Sequence, residues 1–154
     1  MGLDITRKAQ RAVLEQLKTE ALADLATEHL FEGFGPGPSG FLGFFGTSLP
    51  RVGISCESAD PIGEDPESGV FEAAISVEVR SEAHDTGPDL HGDRVQAFEL
   101  ALYQNPIALV SALSTRVADF TALHAVAGGA SQEVDGDTLV TTLTLTLTCI
   151  GADL

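Results

Sequence analysis

The sequence predicts an α+β fold: a four-stranded sheet, antiparallel or mixed, with helices packed on one face and a long β-hairpin with an acidic tip. Three observations predict it. Ala9, Val13, Leu17, Ala21 and Leu25 form an apolar stripe of helical period within residues 4–28. Phe71, Ala73, Ile75, Val77 and Val79 alternate with Glu72, Ala74, Ser76, Glu78 and Arg80, the period of a half-buried strand. Leu143, Leu145, Leu147 and Cys149 alternate with Thr142, Thr144, Thr146 and Thr148, and threonine supplies β-propensity without an apolar outer face. Helix, two strands, helix pair, two strands is the resulting order. It suits one sheet with its helices gathered on one side.

The elements follow in sequence. Asp4 or Thr6 can cap the first helix, and Glu15, Gln16, Lys18 and Glu20 take its wetter side. Residues 31–46, FEGFGPGPSGFLGFFG, hold five of the eight phenylalanines, six of the sixteen glycines and two of the seven prolines. That much Gly and Pro cannot continue a helix or a central strand, and that much Phe needs cover. The expectation is a Phe/Gly-rich insertion with Phe31 and Phe34 turned inward and Phe41, Phe44 and Phe45 partly between subunits. Phe44→Ser with Phe45→Ser is then expected to weaken assembly more than monomer folding. A double variant that fails to fold as a monomer would assign these rings to the core. Residues 50–82 read as the hairpin, with Val52, Ile54 and Cys56 on one face of its first strand and ADPIGEDPESG as its acidic tip. Residues 88–116 read as a helix pair broken at Asn105–Pro106, a good N-cap followed by a good first helical residue. Residues 118–150 read as two strands. Phe120, Ala122, His124 and Val126 alternate in the first, Gly128–Gly129 loosens its end, and Asp135–Gly136 marks a hairpin turn. There is no internal repeat and no sign of a second domain in the 154 residues.

Charge and composition exclude several functions. The net charge is −15, and all the bases after Lys18 are Arg51, Arg80, Arg94 and Arg116, set against eighteen acids beyond residue 30. Without a cationic stripe the chain cannot displace counterions from phosphates, so tight nucleic-acid binding is not expected, and an anionic membrane is no better a partner. Acidity serves solubility, and it also suits a passage through which DNA slides without sticking. No run nears the roughly 18 apolar residues of a membrane span. MGLDITRKAQ lacks the apolar core of a secretion signal, and Cys56 and Cys149 have neither metal-ligand nor disulfide-framework spacing.

No catalytic, cofactor or metal residue emerges. Gly35-Pro36-Gly37-Pro38-Ser39-Gly40 matches G-x-G-x-x-G literally, but a helix precedes it and its two prolines delete backbone donors, so it is no phosphate loop. His84, Asp85, Asp89, His91 and Asp93 could be metal ligands by type. Asp85 or Thr86 as N-cap, and Asp89 and Asp93 at a positive helix N-terminus, explain these acids without an ion. The acids of residues 57–72 lack the spacing of a calcium loop. His29 and His124 are isolated, and neither cysteine has a basic partner, so no enzyme is expected.

The layout resembles the tail-terminator (tail-completion) proteins of long-tailed bacteriophages. An N-terminal helix is followed by LPRVGIS as a Pro-led first strand. VFEAAISVEVRSEA is the second strand, DRVQAFELALY the helix, and FTALHAV and TLTLTLTCI the closing strands. The Phe/Gly-rich segment departs from that pattern. The resemblance implies a virion protein, assembled in the host cytoplasm, whose self-association forms a ring, expected to be a hexamer. The ring caps the tail tube, touching tail-tube protein on one side and head or neck connector proteins on the other, and DNA meets it only by passing through an acidic lumen. Phe41, Phe44, Phe45, Glu72, Glu78, Arg80, Thr144 and Thr146 are the residues expected at its subunit interfaces. Another head–tail, neck or tube-like structural subunit fits the same pattern. A small-molecule-binding or enzymatic α+β domain is the alternative of a different class.

Overall fold

A computed structural model describes residues 2–20, 25, 29–32, 49–62 and 69–151. Eight elements lie within them: α1 (Gly2–Lys18), β1 (Leu30–Glu32), β2 (Arg51–Pro61), β3 (Val70–Glu82), α2 (Gly87–Tyr103), α3 (Pro106–Leu113), β4 (Thr121–Asp135) and β5 (Thr138–Ile150). The strands form one sheet in the order β1-β2-β3-β5-β4. All neighbours are antiparallel except β1 and β2.

Strand parity builds the core. Val77 pairs with Ile54 on one side and Leu143 on the other, and Ile75 pairs with Cys56 and Leu145. These side chains share one face and are almost wholly buried. The helices cover that face. On α1, Ile5, Ala9, Ala12, Val13, Gln16 and Leu17 are buried at helical spacing. On α2 the stripe is Gly87, His91, Arg94, Val95, Phe98 and Leu102, and on α3 it is Leu109 and Leu113. Each fully buried Leu, Ile or Phe contributes on the order of 1.5–3 kcal/mol relative to exposure. Gly87 is needed where it stands, because a Cβ there would run into the carbonyl of Glu82. Backbone cannot yield as a flexible side chain can. Gly87→Ala is expected to cost about 1–3 kcal/mol in chemical denaturation, the range for overpacking.

The structure corrects several expectations. The sheet has five strands and is mixed, not four-stranded. The extra strand, β1, takes Phe31 and Glu32 from the head of the expected insertion and lies parallel to Val52–Ile54. Three residues are too few to show alternation, and Leu30 earns its place by packing into the core. The first helix ends at Lys18 rather than at residue 28. The Thr19 hydroxyl donates back to the Gln16 carbonyl at 2.7 Å, and the Thr19 and Glu20 amides bond at i−3, tightening and closing the last turn. Leu25 still packs on the core, while Ala21 lies outside the described residues. The fourth strand does not loosen at Gly128–Gly129 but continues to Asp135 through a register shift there. A second shift at Leu123 puts Ala122 on the core face and His124 and Val126 on the opposite one, splitting the expected alternation. Thr86 is the N-cap of α2 by position, but its side chain makes no capping bond. Asn105 does cap α3, accepting from the Ala108 amide at 3.1 Å.

Candidate assembly surface

The sheet face away from the helices is polar and laid out in rungs. Arg51, Arg80, Val140 and Glu133 make one rung across β2, β3, β5 and β4. Gly53, Glu78, Thr142 and Ser131 make the next, followed by Ser55, Ser76, Thr144 and Gly129. Ala74, Thr146 and Val126 follow, then Asp60, Glu72, Thr148 and His124. Of the residues expected at interfaces, Glu72, Glu78, Arg80, Thr144 and Thr146 are therefore brought onto this one face. Glu72 is exposed and the other four are half-buried. Phe41, Phe44 and Phe45, like Phe34, lie outside the described residues; Phe31 is half-buried in β1.

The charges on this face constrain one another. Arg80 pairs through Nε with Glu78 Oε1, and its Nη1 lies 3.6 Å from Asp135 Oδ2. Its cross-strand neighbour is Arg51, which is buried. Burial first, and then the like charge of Arg80, lower the Arg51 pKa, while Glu78 acts the other way. By register, Asp60, Glu72, Glu78, Glu82, Glu133 and Asp135 share the face with two arginines, so it is net acidic.

The two edges of the sheet differ. At the β2 edge, β1 pairs with Val52–Ile54, and the Gln10 side-chain oxygen accepts from the Cys56 amide at 3.0 Å. A terminal Pro61 completes a blocked edge. At the β4 edge no described strand pairs on the outer side. Val126–Asp135 are all exposed, including Val126 at 51% and Val134 at 68%. One α-helical group reaches this strand from within: the Tyr103 hydroxyl lies 2.7 Å from the Thr144 carbonyl and 2.9 Å from the Gly129 carbonyl, at the bulge. A Cβ on Gly128 would strike the Thr144 side chain, so glycine is required at that crossing.

Sequence reasoning missed one polar site inside the molecule. His91 reaches from α2 to both central strands, with Nδ1 2.8 Å from Ser81 Oγ and Nε2 2.8 Å from Thr141 Oγ1. Arg94 Nη1 donates to the same Ser81 oxygen at 2.8 Å. All four side chains are buried. Ser81 Oγ accepts from Arg94 and has a further lone pair and a proton to share with Nδ1, while Thr141 Oγ1 can donate to or accept from Nε2, so both ring nitrogens are engaged in either neutral tautomer. Burial first, and then Arg94, lower the His91 pKa, which keeps the ring neutral. The signal was in the parity: Ser81 and Thr141 occupy core positions of β3 and β5, and two hydroxyls there demand a polar partner. His91 is thus turned inward, away from the cluster of possible metal ligands it belonged to by sequence.

Two grooves offer little chemistry. The one between α1, α2 and α3, about 460 Å³, has Gln16, Glu20, Gln104 and Asn105 as its polar side chains. Another, of about 470 Å³, runs between α2 and the β4–β5 hairpin and includes His91, whose two ring nitrogens are both engaged. Burial raises the thiols of Cys56 to about 11 and Cys149 to about 12, so neither is a ready nucleophile. No helix is long and apolar enough to cross a membrane among the described residues.

No protein-family model matches the chain, and no curated protein matches it in sequence. Solved structures do match. A chain of a structure titled "Virion of native gene transfer agent (GTA) particle" aligns with a TM-score of 0.56 over 92% of this chain and 94% of its own, at 16% identity. At that identity the likeness shows a shared fold.

Proposed function

We propose that this chain is a structural subunit of a phage-like virion, and within it the tail terminator: a ring, hexameric, that caps the tail tube and joins it to head or neck proteins. It acts by assembly rather than catalysis. The observation that carries the reading is the end-to-end fold likeness to a chain of a gene transfer agent virion. The order of elements that resembles tail terminators in sequence supports the finer assignment. So does a sheet that places Glu72, Glu78, Arg80, Thr144 and Thr146 on one net acidic face, away from the helices. Turned toward a lumen, such a face repels the DNA phosphates and lets DNA pass. A cyclic ring needs heterologous contacts, a patch on one side of the subunit meeting a different patch on the next.

Particles purified with and without the gene test this. The expected result is several copies of the chain at the head-proximal end of the tube, and tubes of uncontrolled length or unjoined heads when the gene is deleted. Copies found instead within the tube or the neck would assign the subunit to that position. Particles that carry none, with tails of normal length after deletion, would refute the structural role.

A further inference from the structure

The β4 edge, open among the described residues, is self-complementary. The register shift at Ala127–Gly129 changes the phase of the strand halfway along. His124, Val126, Gly129, Ser131 and Glu133 face the polar side, while Ala125, Ala127, Ala130 and Gln132 face the core side. Positions equidistant from the Gly128–Gly129 link therefore point the same way, which an unbroken strand of this length would not allow, since its faces alternate strictly. His124 matches Glu133, Val126 matches Ser131, Ala125 matches Gln132 and Ala127 matches Ala130. Beyond them stand two of the exposed large apolar side chains, Leu123 and Val134.

We propose that β4 pairs antiparallel with β4 of a second copy of this chain, about a two-fold axis at Gly128–Gly129. Directly opposed residues of an antiparallel pair lie on the same face, and the bulge supplies that match from His124 to Glu133. His124 of each chain then meets Glu133 of the partner subunit, so an imidazole N–H donor is set opposite a carboxylate acceptor twice. Leu123 meets Val134 of the partner subunit at both ends, covering apolar surface that is open in the single chain. The two glycines at the axis present no side chains to hinder close approach. The opposite edge cannot serve instead, because β1, Gln10 and Pro61 block it. Such an isologous pair is not a contact of a cyclic ring. It belongs to the free subunit, where it shields an edge that would otherwise invite indiscriminate strand addition, and it stands independently of the tail-terminator reading.

Sedimentation of the full chain and site-directed cross-linking test the pairing. At tens of micromolar, a dimer is expected. Ala127→Cys with Ala130→Cys in one chain is expected to give a covalent dimer under mild oxidation, because the two positions are directly opposed. Each single variant is expected to remain reducible to no cross-link, because its own symmetry mate lies about 10 Å away along the strand, beyond disulfide reach. Circular dichroism melts of the reduced variants check that the fold is kept. A monomer at all concentrations, or a double variant that fails to cross-link, overturns the pairing. Equal cross-linking by the single variants overturns the register. A chain that assembles into the ring but stays monomeric and uncross-linked when free overturns the pairing and leaves the ring standing, whereas a cross-linked dimer from a chain absent in particles does the reverse.

Discussion

Phe98→Ala is expected to destabilise the fold by about 3–5 kcal/mol, the range for emptying an aromatic site in a packed core. Phe98 is among the largest side chains with no exposed surface, and it lies mid-way along the buried stripe of α2. The neighbours cannot collapse into the space. Behind it stand β3 and β5, held by an unbroken ladder from Val70–Ile150 to Glu82–Thr138. A lost ring therefore leaves a cavity as well as a lost transfer term. Phe98→Leu, which keeps most of the volume, is expected to cost about 1.5 kcal/mol or less. Equal losses for the two variants in urea unfolding would mean that ring volume is not what this site requires.

His91→Leu is expected to cost about 2–4 kcal/mol at neutral pH, since it leaves the Ser81 and Thr141 hydroxyls buried with one partner fewer each. The same substitution is expected to remove a pH dependence. The folded protein holds His91 below its ordinary pKa of 6.5, and the unfolded chain does not. Below pH 6.5 the unfolded state therefore binds more protons, and stability falls as pH falls. The contribution is complete above the unfolded value and is lost progressively beneath it, as the imidazolium would be buried and would face Arg94. Urea midpoints at pH 7.5 and pH 5.5 compare the two proteins. The wild type is expected to lose more on acidification than His91→Leu does. Parallel losses would place the acid sensitivity elsewhere in the protein.

Much of the frame was legible in the chain. The Leu/Thr alternation of β5 and the Phe71–Val79 alternation of β3 survive because these central strands bury one face along their length, so parity alone places each side chain. Asn105–Pro106 and Asp135–Gly136 were legible because capping and turn geometry depend on the residues themselves; Gly136 takes φ +61° at the turn. What was not legible depends on neighbours distant in sequence. A Thr19 hydroxyl closing α1 early, and three residues of β1 joining an edge, carry no periodic signal. The bulges of β4 are a matter of strand register, and a pattern read with a fixed period of two put His124 on the wrong face.

The candidate surface divides in the same way. Glu72, Glu78, Arg80, Thr144 and Thr146 could be gathered from the sequence because parity on two adjacent strands assigns them one outward face. Their mutual restraint, with Arg80 held between Glu78 and Asp135 beside a buried Arg51, required the pairing of β2, β3 and β4 in space. By itself, the sequence determined the fold class, the central strands and a net acidic composition, because composition and short-range periodicity are properties of the chain alone. Only the tertiary structure decided which edge of the sheet is blocked and which is open, that His91 belongs to the interior, and that β4 changes phase at Gly128. Those outcomes rest on hydrogen bonds and contacts between residues far apart in sequence, and no local pattern records them.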